Sequence, residues 1–381
     1  MSELLWLGLF TLAVGSGWWL GRREQLPHLR RRSAAIISYN HLLDAQSDQA
    51  LRRLAEVLEV NDETFEAHLG VGRQFRQRGE LEKATQVHQN LLGRPELGAA
   101  QRERVQLELA HDFLAAGELS RAESLLQGLI DGDSAIAVQA QRGLLRIYEQ
   151  EREWERAIEI GNRLARSEPT ARVACGHYHC ELAEQLLRRE AVEAAQRQLE
   201  LALQADPACV RASLILARLA WQQGHADEAV DHLLQVAGQD ATLFPEALPQ
   251  LLDYTAGSAA RERLERFLNS VLERAGDSRA DPLVLALALV IRERQGLTSG
   301  IDFLRQRLAC QPSLRLIQRL LEWQDEQATS AESACLREAV DSLIGHSPAY
   351  GCRQCGFQAR QLHWQCPTCH GWSVLRRRSH G

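Results

Sequence analysis

GELEKA (Gly79 to Ala84) returns along this chain as GELSRA (Gly117 to Ala122), REWERA (Arg152 to Ala157), EAVEAA (Glu190 to Ala195) and GHADEA (Gly224 to Ala229). Counted from the first residue of each copy, the steps are 38, 35, 38 and 34 residues. A turn residue stands five positions before an alanine in every copy, and Pro169 and Pro207 follow Ala157 and Ala195 by twelve. A period of this length marks supersecondary units that cannot bury their own apolar face and must stack on their neighbours. From Ser33 to about Trp323 the apolar residues recur at helical rather than strand spacing, with few prolines, so the units are helix pairs and the region is all α. Small residues such as Gly72, Ala84 and Ala122 let paired helices cross closely, and the prolines stop the second helix of a pair.

The pattern extends outward unevenly. Ala50, 34 residues before Ala84, marks an earlier and weaker unit. Beyond Ala229 the signature degrades, although DPLVLALALVIRERQG, followed by Ile301 to Pro312, still reads as a helical pair. Six to eight units are expected in all. Period and positions together resemble the tetratricopeptide repeat, which implies a superhelix with an extended surface suited to binding other proteins.

At 381 residues and 45% hydrophobic content the chain can bury an extensive core. Its net charge of −6 lacks the basic excess of a general nucleic-acid binder. There is no phosphate-cradling glycine loop, nucleophile elbow or His-Glu-x-x-His pair, so no enzymatic role is expected. Nine cysteines are present. Five of them (Cys175, Cys180, Cys209, Cys310 and Cys335) lie scattered through helical sequence and are read as reduced and buried.

Residues Leu4 to Gly21 carry no charge, and about 18 residues at ~1.5 Å each cross about 27 Å, one hydrocarbon core. Trp18 and Trp19 suit the headgroup belt, and Arg22, Arg23, Arg30, Arg31 and Arg32 follow at once. Only Glu3 precedes the stretch, where a secretory signal would carry basic residues. We therefore expect a single-pass anchor with the rest of the chain on the positive, cytoplasmic side of the membrane. Ala13, Gly17 and Gly21 stand at four-residue spacing, the pattern that lets a second membrane helix approach.

The other end reads CRQCGFQARQLHWQCPTCHGW. Cys352 and Cys355 form one Cys-x-x-Cys pair, Cys366 and Cys369 another, with ten residues between. Each pair places two thiolates on a tight turn, which Gly356 lets close, and the intervening residues suffice for a hairpin that brings the pairs face to face. Zn²⁺ in a Cys₄ site is expected, with iron as the alternative. The metal would also staple a module too short to fold alone. Trp364, Trp372 and Phe357 are more large apolar groups than so small a core needs, so some are expected to face the repeats. By contrast ACGHYHCELA, with Cys175, His177, His179 and Cys180, is read as helix packing, because His177 points away from the face that Cys175 and His179 share.

Taken in order, the anchor, the arginines after it, the repeats and a rubredoxin-like CRQCGF…WQCPTCHGW end resemble the lipopolysaccharide assembly protein B family over essentially the full chain. EAHLGVGRQFRQRGE (Glu66 to Glu80) and HYHCELAEQLL (His177 to Leu187) add local likeness. The resemblance implies an anchor over 1–21, a basic juxtamembrane segment over 22–34, a repeat superhelix over 35–325, a linker helix over 326–349 and a rubredoxin-like metal module over 350–381. It implies an inner-membrane adaptor that brings the deacetylase LpxC to the membrane protease FtsH and answers to a membrane sensor of lipopolysaccharide, with lipopolysaccharide transport proteins as further partners. It maps the metal ligands onto Cys352, Cys355, Cys366 and Cys369. Two other classes compete: a rubredoxin-like electron carrier, or a general scaffold for lipopolysaccharide enzymes. Nucleic-acid binding through Arg353, Arg360, Arg376, Arg377 and Arg378 is disfavoured, since thiolates partly neutralise them.

Overall fold

The computed structural model describes residues 62–131, 134–257, 259–275, 281–326, 331–345 and 348–378. The expected anchor, the basic segment and the unit marked by Ala50 lie outside these residues. Among the described residues no helix is long and apolar enough to cross a membrane. The chain divides into two compact units at Leu144 and Leu145.

The first unit holds α1 (Asp62–Gln77), α2 (Leu81–Leu92), α3 (Ala99–Ala116), α4 (Leu119–Gln127) and the start of α5 (Ala135–Glu151). Successive helices among α1 to α4 pack on one another. The second unit continues with α6 (Trp154–Ser167), α7 (Ala171–Arg188), α8 (Val192–Ala205), α9 (Val210–Gln222) and α10 (Ala226–Gln239). After a short 3₁₀ turn (Phe244–Glu246) come α11 (Leu248–Tyr254), α12 (Ala260–Ala275), α13 (Asp281–Gln295), α14 (Leu297–Cys310), α15 (Leu314–Asp325) and α16 (Ala331–Gly345). A three-stranded ribbon ends it: β1 (Tyr350–Cys352), β2 (Gln358–Ala359) and β3 (Leu375–Arg377).

One turn is used five times. Its first residue is left-handed at Gly79 (φ 79°), Gly117 (φ 76°), Arg152 (φ 57°), Glu190 (φ 60°) and Gly224 (φ 83°). At Gly117 the amide N–H donates to the Leu114 carbonyl at 3.2 Å and the Glu118 N–H to the Phe113 carbonyl at 2.9 Å. This pair of bonds satisfies the last carbonyls of one helix. The Glu118 carbonyl then accepts from Ala122 N–H at 3.1 Å, opening the next helix. The same bonds recur at the other four copies. Ala84, Ala122, Ala157, Ala195 and Ala229 are all fully buried, which is why each position takes the smallest side chain with a Cβ.

Close approach also selects glycine inside helices. A Cβ at Gly161 would lie 2.5 Å from Cys175 Sγ, one at Gly143 2.8 Å from a Leu126 methyl, and one at Gly72 inside the His88 ring. Beyond Ala229, where the signature fades, packing does not. One core runs from Val210 and Leu233 through Phe244, Leu268 and Leu287 to Trp323, and the expected pair after Asp281 is α13 on α14.

Two of the five scattered cysteines depart from expectation. Cys175, Cys180 and Cys209 are buried, but Cys310 and Cys335 are exposed. Cys310 is the last residue of α14, where the chain leaves the helix, and Cys335 is an exposed position of α16.

Candidate functional site

The ribbon sheet has the order β2-β1-β3, both pairings antiparallel. β1 and β2 frame the first cysteine pair, with Tyr350 opposite Ala359 and Gly351 opposite Gln358. A single bridge between Gln365 and Trp372 frames the second. The expected hairpin between the pairs is therefore not what joins them: each pair sits at the tip of its own antiparallel turn, because the short Cys-x-x-Cys turn is itself the hairpin loop. Gly356 (φ 77°) and His370 (φ 56°) occupy the same left-handed position just after each pair.

This geometry brings Cys352, Cys355, Cys366 and Cys369 together, with all four sulfurs within 4.8 Å of one another. Cys352 and Cys369 are 3.7 Å apart, Cys355 and Cys366 3.6 Å. A tetrahedron with metal–sulfur bonds of ~2.3 Å has edges of about 3.8 Å, so the four thiols fit one zinc or iron ion. Burial opposes ionisation of Cys352, yet the backbone N–H groups of Cys355 and Gln354, each donating to its sulfur at 3.4 Å, pull that thiol down to about 6. Ligation needs the thiolate, which these two amides favour at Cys352, whereas Cys355 and Cys369, despite their own backbone bonds, are pushed up by burial and the neighbouring thiols.

The module does not stand alone. Glu149, in the last turn of α5, accepts from Trp372 Nε1 at 2.8 Å, from Gln365 Nε2 at 3.2 Å and from Tyr178 Oη at 2.5 Å. His177 on α7 is fully buried. Its ring stacks on Trp372 at 5.0 Å between centroids and lies 5.9 Å from Trp364, and its Nε2 is 2.8 Å from Ser373 Oγ. Burial, with a smaller push from the Arg211 charge, lowers its pKa to about 3, so the ring is neutral. Burial and the Glu149 carboxylate together keep the Tyr178 phenol protonated.

A second set of contacts holds the outer strands. Glu246 accepts from Tyr350 Oη at 2.8 Å and from Arg377 Nε at 2.7 Å, and Arg376 pairs with Asp240 at 2.8 Å. Leu362 and Trp364 pack on the core that contains Phe244. Trp364 and Trp372 thus face the helices, while Phe357 packs within the ribbon.

The cysteine-histidine stretch of α7 gathers no common site. Cys175 lies against Gly161, Cys180 against Cys209, and His179 Nδ1 against Gln198 Oε1 at 2.7 Å, while His177 turns to the ribbon. Sequence reading missed Glu149, His177, Asp240 and Glu246 as ribbon contacts. Their sole trace was the surplus of tryptophan in so short a module.

Residues 350–376 match the family model described as a rubredoxin metal binding domain, and residues 44–91, 107–172 and 180–243 match the tetratricopeptide repeat. Lipopolysaccharide assembly protein B of Escherichia coli K12 is 31% identical over 386 residues, covering 99% of this chain and 98% of that protein. The protein of the same name from Haemophilus influenzae Rd is 32% identical over 396 residues, with the same coverage of 99% and 98%. A tetratricopeptide repeat protein from Parabacteroides merdae aligns at 16% identity and a TM-score of 0.32, over 68% of this chain and 98% of its own. With 99% of the chain aligned to these relatives at 31% and 32% identity and the repeat and metal-binding domains matched in order, the chain belongs to the lipopolysaccharide assembly protein B family.

Proposed function

We propose that this protein is a non-enzymatic adaptor of lipopolysaccharide assembly, held at the inner membrane by residues 1–21, that presents the deacetylase LpxC to the protease FtsH. A membrane sensor of lipopolysaccharide would set its activity, and transport proteins would be further partners. The observation that carries the reading is the dock: a four-thiol ribbon locked by Glu149 and His177 onto repeat helices forms one composite surface, which suits recognition. Full-length kinship to proteins named for lipopolysaccharide assembly supports the process. Anchoring by residues 1–21 would serve this mechanism, because confining client and protease to one surface raises their effective concentration.

Affinity capture from membranes, using the chain with its first 21 residues intact, tests this. Recovery of FtsH together with LpxC is the expected result, and a longer LpxC half-life when the gene is removed. Capture of neither, with LpxC turnover unchanged, would overturn the reading.

We propose zinc as the metal at Cys352, Cys355, Cys366 and Cys369, acting as a structural ion. The same four thiols would hold iron, and an electron carrier is the second reading that this donor set supports. Metal analysis and absorbance of purified protein separate them: zinc leaves the protein colourless, while a red, reversibly reducible protein favours electron transfer.

A further inference from the structure

Cys180, in the middle of α7, and Cys209, the residue before α9, bring their sulfurs to 3.7 Å. Neither touches the ribbon or its dock. Cys180 is fully buried and Cys209 1% exposed, in a cluster with Ala183, Leu199 and Ala212 that holds the two side chains against each other.

The two thiols have unlike surroundings. Cys209 is the N-cap of a 13-residue helix, where the peptide dipoles favour an anion. Arg211, 6% exposed, favours both thiolates, while its partners Glu181 and Glu184, at 2.8 Å each, and Asp206 offset that charge. The contact with the Cys180 sulfur, in which either thiol can donate, is the largest influence on the Cys209 thiol and lowers it against the opposing effect of burial. Burial pushes Cys180 the other way. Its place at the N-cap of α9 makes Cys209 the sulfur set to attack, with Cys180, 3.7 Å away, the one set to resolve. Pro207 and Ala208, immediately before Cys209, are exposed, so the turn that leads into Cys209 reaches solvent.

We propose that Cys180 and Cys209 form a redox-active dithiol that a hydroperoxide converts to a disulfide inside the repeat stack. The Cys209 thiolate attacks one peroxide oxygen, the O–O bond breaks, and the departing oxygen leaves as water after taking a proton. The Cys209 sulfenic acid is then attacked by Cys180 sulfur. The S–S bond forms, the S–O bond breaks, and the departing hydroxide leaves as water with the Cys180 proton. Two thiols lose two electrons in all, and one hydrogen peroxide becomes two waters. The bond would tie the middle of α7 to the start of α9 across α8, making the stiffness of this repeat depend on oxidant.

The test treats the full chain with hydrogen peroxide, blocks remaining thiols with N-ethylmaleimide and maps tryptic peptides by mass spectrometry. A linked species of residues 173–188 with 198–211, lighter by two hydrogens than the two peptides with one maleimide added on Cys175, and lost on treatment with dithiothreitol, is expected. It persists in Cys175→Ala and vanishes in Cys180→Ala and Cys209→Ala. In Cys180→Ala, Cys209 halts as a sulfenic acid that dimedone traps. Should either variant fail to fold by circular dichroism, tandem spectra of the wild-type species locate the linked sulfurs instead. Absence of the link when exposed Cys310 and Cys335 are fully oxidised, or a link that runs through Cys175, would overturn the proposal.

Discussion

Trp372 donates its indole N–H to Glu149 at 2.8 Å, joining residues 223 positions apart. The same carboxylate serves Gln365 and Tyr178, so one side chain of α5 answers three donors. Glu149→Ala strands them together. Bonds to a charged acceptor contribute about 1.5–3 kcal/mol each but are not additive, so a loss of about 2–4 kcal/mol from docking is expected. Hydrogen exchange should rise across residues 350–378 and remain as it was in α9 and α10. Undiminished protection in the ribbon would refute the role given to Glu149.

Metal removal should act locally. A module of about 30 residues lacks the burial to hold itself, whereas a structural zinc supplies on the order of 10 kcal/mol or more. Cys366→Ser, or a strong chelator, should abolish bound metal and loosen the ribbon while the helical circular dichroism survives. If client turnover then continues at its normal rate, the ribbon is a dispensable staple.

The five repeated turns predict opposite effects for chemically small changes. Gly117→Ala places a methyl group where nothing lies within 4 Å, yet φ is 76°, so about 1–2 kcal/mol should be lost to backbone strain alone. Arg152→Gly and Glu190→Gly relieve that strain at φ 57° and 60° and should gain up to about 1 kcal/mol, net of glycine's extra entropy when unfolded. Urea denaturation reads both signs.

Acid should weaken the dock through His177. Its pKa falls from 6.5 to about 3 on burial, so the docked state refuses a proton that the undocked ring accepts below 6.5. The contribution is intact above pH 6.5 and declines by about 1.4 kcal/mol per unit as pH falls towards 3. His177→Phe keeps an aromatic ring against Trp372 but cannot titrate. Between pH 6.5 and 5.5 its ribbon exchange should therefore change less than that of the wild type, and parallel curves would exclude the ring as the cause.

What could be read beforehand was whatever repeats or clusters along the chain. The turn positions from Gly79 to Gly224 announce themselves by spacing, and Cys352 to Cys369 by their paired pattern. Glu149, Asp240 and Glu246 could not be read, because an acid on an amphipathic helix looks the same whether it meets water or a ribbon more than a hundred residues later. Arg376 and Arg377 read as part of a basic cluster, and the structure spends both on those acids. The misjudged Cys310 and Cys335 follow from treating a residue type as a location: cysteine is usually buried, but these positions of α14 and α16 are not.

The span between Glu149 and its partners also orders events during synthesis. Repeat helices close on near neighbours as they emerge, while Gln365 and Trp372 leave the ribosome 216 and 223 residues after the carboxylate they must find. Until then the Tyr178 hydroxyl and the His177 ring face water. A chain cut short before the ribbon would keep its repeat helices and leave this aromatic seat uncovered.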